Sequence, residues 1–212
     1  MQVKVVESRA ERSVFVNLPW SLYSNDSLWV PPLKASVRQV LDSGKHPFYQ
    51  EGGAEVELFL AWEGDRPVGR IAAIVNHEFN RFHVSNEVHF GFFECIDSVQ
   101  AARALFEAVE NWTRKRGSEA VSGPFNPSTN YECGLLVDGF DRSPVVMMTY
   151  NPRYYPDLVE GADDALGVEL RAAVATEPLA HGAVGTADGA EDRLGVGHAG
   201  DQMITRAPGG GE

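Results

Sequence analysis

Glu94, in the run Val88–Ile96 (VHFGFFECI), is the first side chain whose setting suggests chemistry. A Phe-rich run of this kind reads as a strand buried on both faces. Desolvation between Phe93 and Cys95 raises a carboxyl pKa toward the range a proton acceptor needs. The plainer reading is a structural carboxylate paired at a strand end. A second polar cluster occupies the loop Gly123–Asn130, with Asn126, Ser128, Thr129 and Asn130, and Glu132 follows. At the open end of a sheet such groups meet ligands, and Asn126, Asn130 and Glu132 are the substrate-side candidates. Beside Pro124 and Pro127 the same side chains also suit turns, where they bond their own backbone. His77, His83 and His89 recur every six residues, a spacing that neither helix nor strand turns into ligand geometry, so no metal is expected. Cys95 and Cys133 lack CxxC spacing and read as reduced thiols.

The elements that must position these residues follow from periodicity. Val3 and Val5 mark a short strand, and Arg9–Leu22 carries Val14, Leu18 and Leu22 at helical spacing. Pro31-Pro32 can open a second helix through Val37, Val40 and Leu41, stopped by Gly44 and Pro47. Val56–Trp62 alternates, turns at Glu63–Arg66 and returns over Val68–Val75 as a hairpin. After Val88–Ile96 comes the strongest helix, with Asp97 as N-cap and Gln100 as capping-box partner. Its inner face is Ala101, Leu105, Ala108, Val109 and Trp112, and its stop is Gly117. A strand over Ala120–Gly123 leads into the polar loop. Val145–Met148 reads as extended, with Met147 and Met148 in the core, and a last helix covers Arg153–Glu160. The order is β-α-α-β-β-β-α-β, a loop insertion, then α.

Composition divides the chain. All twenty-one aromatic residues precede Glu160, whereas residues 161–212 have none and contain eleven Gly and eleven Ala. Such a segment buries little apolar area against the roughly 1–2 kcal/mol per residue that ordering the backbone costs. The reading is one domain over 1–160 and a disordered tail over 161–212. The net charge of −12 divides evenly between the two parts, and neither offers the basic stripe that nucleic acid requires. Met1–Ser8 builds no apolar signal segment and no window approaches a membrane span, so a cytoplasmic protein without a membrane partner is expected.

The order of elements, together with the blocks WVPPL (29–33), GRIAAIVN (69–76), FGFFEC (90–95), GPFNPSTNYECGLLVDGF (123–140) and YNPRYYPDL (150–158), resembles a bacterial subgroup of GNAT-like N-acetyltransferases. The resemblance implies a mixed α/β fold with a mostly antiparallel twisted sheet flanked by helices. It also implies acyl transfer from acetyl-coenzyme A or another acyl-coenzyme A to a small amine acceptor. It makes Glu94 the catalytic base and implies a tyrosine proton donor on the last helix near Leu158 or Val159, which carry no proton. Tyr154 and Tyr155, one turn earlier, are the candidates, with aromatic packing as their plainer reading. Ser98, Gln100 and Arg103 fall at the helix start that would hold the coenzyme A pyrophosphate.

The sequence departs from that pattern where glycines should let backbone approach phosphate, because Q-A-A-R-A-L places Arg103 and Leu105 at those positions. A rival reading is therefore a non-catalytic binding or scaffold protein on the same fold. The resemblance also implies two closing strands after the last helix. Residues 161–212 read instead like the product of GC-rich codons out of frame. The expectation is an incomplete domain with the fifth strand's edge unpaired and marginal stability.

Overall fold

The computed structural model describes residues 1–118, 120–163, 166–175 and 202–204. Its centre is a mixed sheet in the order β1-β2-β3-β4-β5-β7-β6, with β8 paired to β7. The antiparallel half is β1 (Gln2–Val5), β2 (Glu55–Glu63), β3 (Arg66–Val75) and β4 (Glu87–Cys95). The parallel half joins β4 to β5 (Ala120–Gly123), β5 to β7 (Glu169–Ala175) and β7 to β6 (Leu135–Leu136), and β8 (Gln202–Ile204) runs antiparallel to β7. The helices are α1 (Arg9–Leu22), α2 (Lys34–Val40), α3 (Pro47–Gln50), α4 (His77–His83), α5 (Val99–Arg114) and α6 (Tyr155–Asp163).

The expected α/β architecture is present, and α3 and α4 are short additions to the expected order. The hairpin β2–β3 turns at Gly64, whose φ of 60° suits the tight connection. Helix α1 starts in a capping box, in which Ser8 Oγ accepts from the Glu11 N–H (3.1 Å) and Glu11 accepts from the Ser8 N–H (2.8 Å).

Strand alternation sorts side chains into two cores. Phe59, Ile71, Ala73, Val88 and Phe90 pack on one face with α5 and α6, while Leu58, Leu60, Ala72, Ile74 and Phe92 pack on the other with α1 and α2.

Three expectations change. The N-cap of α5 is Ser98, not Asp97: Ser98 has the extended backbone a cap needs and accepts the Ala101 N–H at 3.3 Å, which leaves Gln100 without a capping role. The stretch around Met147 is not core. Val145, Val146 and Met147 are 59, 91 and 56 % exposed, and Met147 has a left-handed φ of 70°. Hydrophobic type alone suggested burial, but among the described residues no strand partner takes up this segment.

The sheet also continues past Gly161. β7 pairs with β5 from Ala120↔Glu169 to Gly123↔Ala172 and buries Leu170, so the edge of the fifth strand is covered and the argument for instability from a bare edge falls away. A backbone ladder needs no aromatic side chains, and composition could not reveal it. The expected disorder over 176–201 and 205–212 lies outside the described residues.

Candidate functional site

A bulge in β4 decides which way Glu94 points. Between the pairs Ala72↔Gly91 and Arg70↔Glu94, β4 carries one residue more than β3, and Phe92 takes a φ of 50°. Val88 and Phe90 face the α5 core before the bulge, and Phe93 and Cys95 face it afterwards. The extra residue flips the alternation, so Glu94 turns to the face of α1, where Arg70 also points. Asn126 Oδ1 accepts the Phe92 N–H at 2.6 Å, and Phe90 O accepts the Phe125 N–H at 2.8 Å. Gly91 allows this approach, since a Cβ there would lie 1.8 Å from the Phe125 carbonyl oxygen.

Glu94, part-buried, meets three buried side chains at this point. Glu94 Oε2 accepts from the hydroxyls of Tyr23 (2.8 Å) and Tyr155 (2.7 Å), and Arg70 Nη2 lies 3.6 Å from Oε1. Arg70 Nη1 donates to the Phe15 carbonyl at 2.7 Å, and the guanidinium sits 5.0 Å from the centre of the Phe15 ring. The carbonyl of Phe15 would ordinarily bond the amide four residues on. That residue is Pro19, inside α1, which has no N–H to give. The proline thus frees a buried acceptor for the cation that faces Glu94.

The electrostatics follow from burial. Desolvation raises the Glu94 pKa, while Arg70 and the two tyrosine hydroxyls pull it back. Desolvation and the neighbouring carboxylate hold Tyr23 and Tyr155 well above the ordinary tyrosine range, so both remain protonated donors. With Oε2 saturated by two hydroxyls and Oε1 beyond hydrogen-bond distance of Arg70, Oε1 keeps lone pairs able to take a proton.

Arg70, Glu94 and Tyr155 line a cavity of about 440 Å³ whose other walls are mostly apolar, among them Trp20, Trp29, Val37, Phe92, Leu135 and Met148, with Tyr23 behind the carboxylate. Tyr23 stacks on Trp29 with ring centroids 4.9 Å apart, which fixes its hydroxyl toward Glu94. Glu132 is exposed at the cavity wall; the surrounding protein raises its pKa, and a hydrogen bond from Asn126 opposes the rise.

Of the residues singled out from sequence, Glu94, Tyr155, Asn126 and Glu132 therefore come together around one cavity. Asn126 also has a structural task in holding the bulge. Asn130 is exposed and its N–H bonds Ser128 Oγ at 3.3 Å, a turn contact away from the cavity lining. Tyr154 donates to the Cys95 carbonyl (2.9 Å) and Tyr155 accepts the Cys95 N–H (2.8 Å), so the backbone groups at the end of β4 already have partners.

The proposed pyrophosphate residues stand elsewhere. Ser98 caps its own helix, Gln100 is exposed, and Arg103 Nε donates to the Gly161 carbonyl at 3.1 Å, tying α5 to α6. Ser98 and Arg103 are thus engaged within the protein, and Leu105, fully buried, packs in the core where the family pattern has a glycine.

The three histidines separate as well. His77 meets Glu55 at 3.3 Å, and His83 packs on Phe79. His89 is buried at 2.7 Å from Ser122 Oγ, with its pKa pushed down to about 4 by burial. Among the described residues no three His, Cys, Asp or Glu side chains gather as metal ligands, and no helix is long and apolar enough to cross a membrane.

Arg70 and Tyr23 complete this cluster and were not singled out from the sequence. Arg70 left a signal, being a lone charge within the apolar run Val68–Val75, and a buried cation calls for a buried anion. Tyr23 left none, because its partner is seventy-one positions away.

The fold and site define a mixed α/β chain with a carboxylate held over an apolar cavity. It is similar to the bacterial ceramide synthase of Caulobacter vibrioides, with 38 % identity over 178 residues, covering 84 % of this chain and 46 % of that protein. It is likewise similar to protein YghO of Escherichia coli K12, with 32 % identity over 173 residues, covering 80 % of this chain and 43 % of that protein. The chain thus spans about half the length of the curated relatives it matches. No protein-family model and no solved structure matches it.

Proposed function

We propose that this chain carries the acceptor side of an N-acyltransferase, which moves an acyl group from an acyl thioester such as an acyl-coenzyme A to an amine with a long apolar chain. The observation that carries this reading is the placement of Glu94 at the wall of a largely apolar cavity, with both tyrosine hydroxyls on Oε2 and Oε1 3.6 Å from Arg70. Similarity to a protein named as a ceramide synthase supports it, since ceramide is an amide of a fatty acid and a long-chain amino alcohol.

In this scheme the amine nitrogen attacks the thioester carbonyl, the new C–N bond forms and the C–S bond breaks. The amine proton passes to Glu94 Oε1 and from there to the departing thiolate, so the products are one amide and one thiol. A carboxyl pKa raised by burial suits both transfers. Tyr23 and Tyr155 act as positioning residues that fix the carboxylate, and Arg70 balances its charge. The start of α5 takes no part, so the thioester headgroup is assigned no residues there.

The rival reading, a binding protein without catalysis, draws on the same missing cradle and on the engaged backbone groups of Cys95.

The experiment supplies an acyl-coenzyme A and a series of primary amines of increasing chain length. Thiol release matching amide formation is expected, with KM for the amine falling about fourfold per added methylene until the cavity is full, in line with about 0.8 kcal/mol per buried CH₂. Amines that bind with this dependence but never react would favour the rival. A KM independent of chain length would refute the cavity as the acceptor site.

A further inference from the structure

We propose that the mouth of this cavity docks on the surface of an anionic lipid bilayer, through an apolar rim flanked by cations. The rim is built from two segments distant in sequence, residues 27–41 and 142–156. Trp29, Val30, Pro31 and Pro32 line the cavity from one side, and the stretch from Pro144 to Met148 lines it from the other.

Five of the eleven large exposed hydrophobic residues among those described belong to these two segments: Val30 (55 %), Leu33 (76 %), Val145, Val146 and Met147. Apolar side chains held out into water around a cavity mouth mark a contact surface rather than scattered exposure.

Charge identifies the occupant. The whole chain carries −12, yet these two segments contain Lys34, Arg38, Arg142 and Arg153 and no Asp or Glu. Asp26, Asp42, Asp141 and Asp157 stand immediately outside. Asp141 pairs with Arg142 at 3.5 Å, so Lys34, Arg38 and Arg153 are the cations that give the rim its charge, and two more of these carboxylates are engaged locally. Asp26 accepts from Tyr150 and from the Leu28 N–H, and Asp42 accepts from the Gly44 N–H. Lys34 Nζ lies 4.6 Å from the ring centre of Trp20, a cavity wall residue, so one cation stands at the mouth itself.

Tryptophans, small apolar residues and flanking cations are the composition that settles at the headgroup–acyl boundary of a bilayer. An acidic protein partner would suit the cations but not the apolar rim. The sequence led to no membrane partner, because it was searched for spans. The contact proposed here is with one leaflet's surface and needs no spanning helix. It rests on the acyl-transfer reading only for its use, which is to let a lipid chain enter the cavity without crossing water.

The test is flotation of the full chain with vesicles of phosphatidylcholine alone and of equal parts phosphatidylglycerol and phosphatidylcholine. Binding to the anionic vesicles is expected to be at least tenfold stronger and to weaken with salt, since each basic residue near such a surface contributes about fivefold.

The double variant Leu33→Asp/Arg38→Glu should abolish that binding while keeping the far-ultraviolet spectrum. Residue 33 is the N-cap of α2, where aspartate is favourable, and neither residue lines the cavity. Phe82→Asp removes another exposed hydrophobic residue, 82 % exposed, on α4 beyond the far end of β3, and should bind like the parent. Glu94→Gln should bind vesicles normally, which separates a failure of this proposal from a failure of the catalytic reading. Equal binding to both vesicle types would overturn the proposal, as would no binding to either. Self-association relieved by Leu33→Asp would also overturn it, by assigning the rim to a second copy of the chain.

Discussion

Replacing Arg70 by methionine removes the cation that faces Glu94 while filling most of the same volume. The side chain is buried, its Nη1 donates to the Phe15 carbonyl at 2.7 Å, and Nη2 stands 3.6 Å from Glu94. Without it, Pro19 leaves the Phe15 carbonyl without a helix partner, an unsatisfied buried acceptor costing about 1–3 kcal/mol. Breaking a buried ion pair by deleting one partner costs about 3–5 kcal/mol. The two effects overlap, so the expected loss at pH 7 is about 3–5 kcal/mol, a large share of the stability of a domain this size.

The pH dependence has a definite sign. Burial already raises the Glu94 pKa above its unfolded value, and loss of Arg70 raises it further. A carboxyl with a raised folded pKa favours the folded state fully below its unfolded pKa, and that contribution is lost as pH rises through the folded value. The deficit of Arg70→Met should therefore shrink as pH falls from 7 toward 4.5. Adding Glu94→Gln should recover at least half of it. Urea unfolding of the parent, both single variants and the double variant at several pH values measures this directly. A deficit below about 1 kcal/mol, or one unchanged between pH 5 and 7, would refute the charge-pair argument.

Other consequences follow from the same geometry. Asn126→Ala should leave the Phe92 N–H unpaired at the bulge and cost about 1–3 kcal/mol in unfolding free energy. It should also lower turnover more than the amine KM, and an unchanged turnover would show that the bulge does not aim Glu94. His89, buried with a pKa near 4, should contribute stability above pH 6.5 that is lost as pH falls toward 4. The amount is about 3 kcal/mol, absent in His89→Gln, and parallel acid unfolding curves for the two proteins would contradict this. Arg103→Ala should leave KM for the acyl thioester unchanged, because that side chain is spent on the Gly161 carbonyl; a tenfold rise would restore the cradle reading.

What the sequence revealed of the site depended on how local the determining signal was. Glu94 was visible as a carboxylate in an apolar strand, and Asn126 and Glu132 as polar residues in a loop beside a strand end. The direction of Glu94 was not visible, because it depends on one extra residue in β4 whose effect appears only against the register of β3. Pro19 read simply as part of a helix, although its missing N–H matters only because Arg70, fifty-five positions from Phe15, arrives at the vacated carbonyl. The strand over 169–175 escaped a reading based on aromatic content, since pairing with β5 is a backbone property. The mouth segment 145–147 was assigned to the core on hydrophobicity, which reports a side chain's preference for leaving water but not what it leaves water for.

The most direct test of the central claim is amide formation by the parent and by Glu94→Gln, with an acyl-coenzyme A and a long-chain amine at saturating concentration. The account predicts that Glu94→Gln remains folded, binds the amine comparably and loses roughly 10²–10⁴ in turnover, the range associated with a positioned proton acceptor. A Glu94→Gln protein that forms the amide at the parental rate would contradict it.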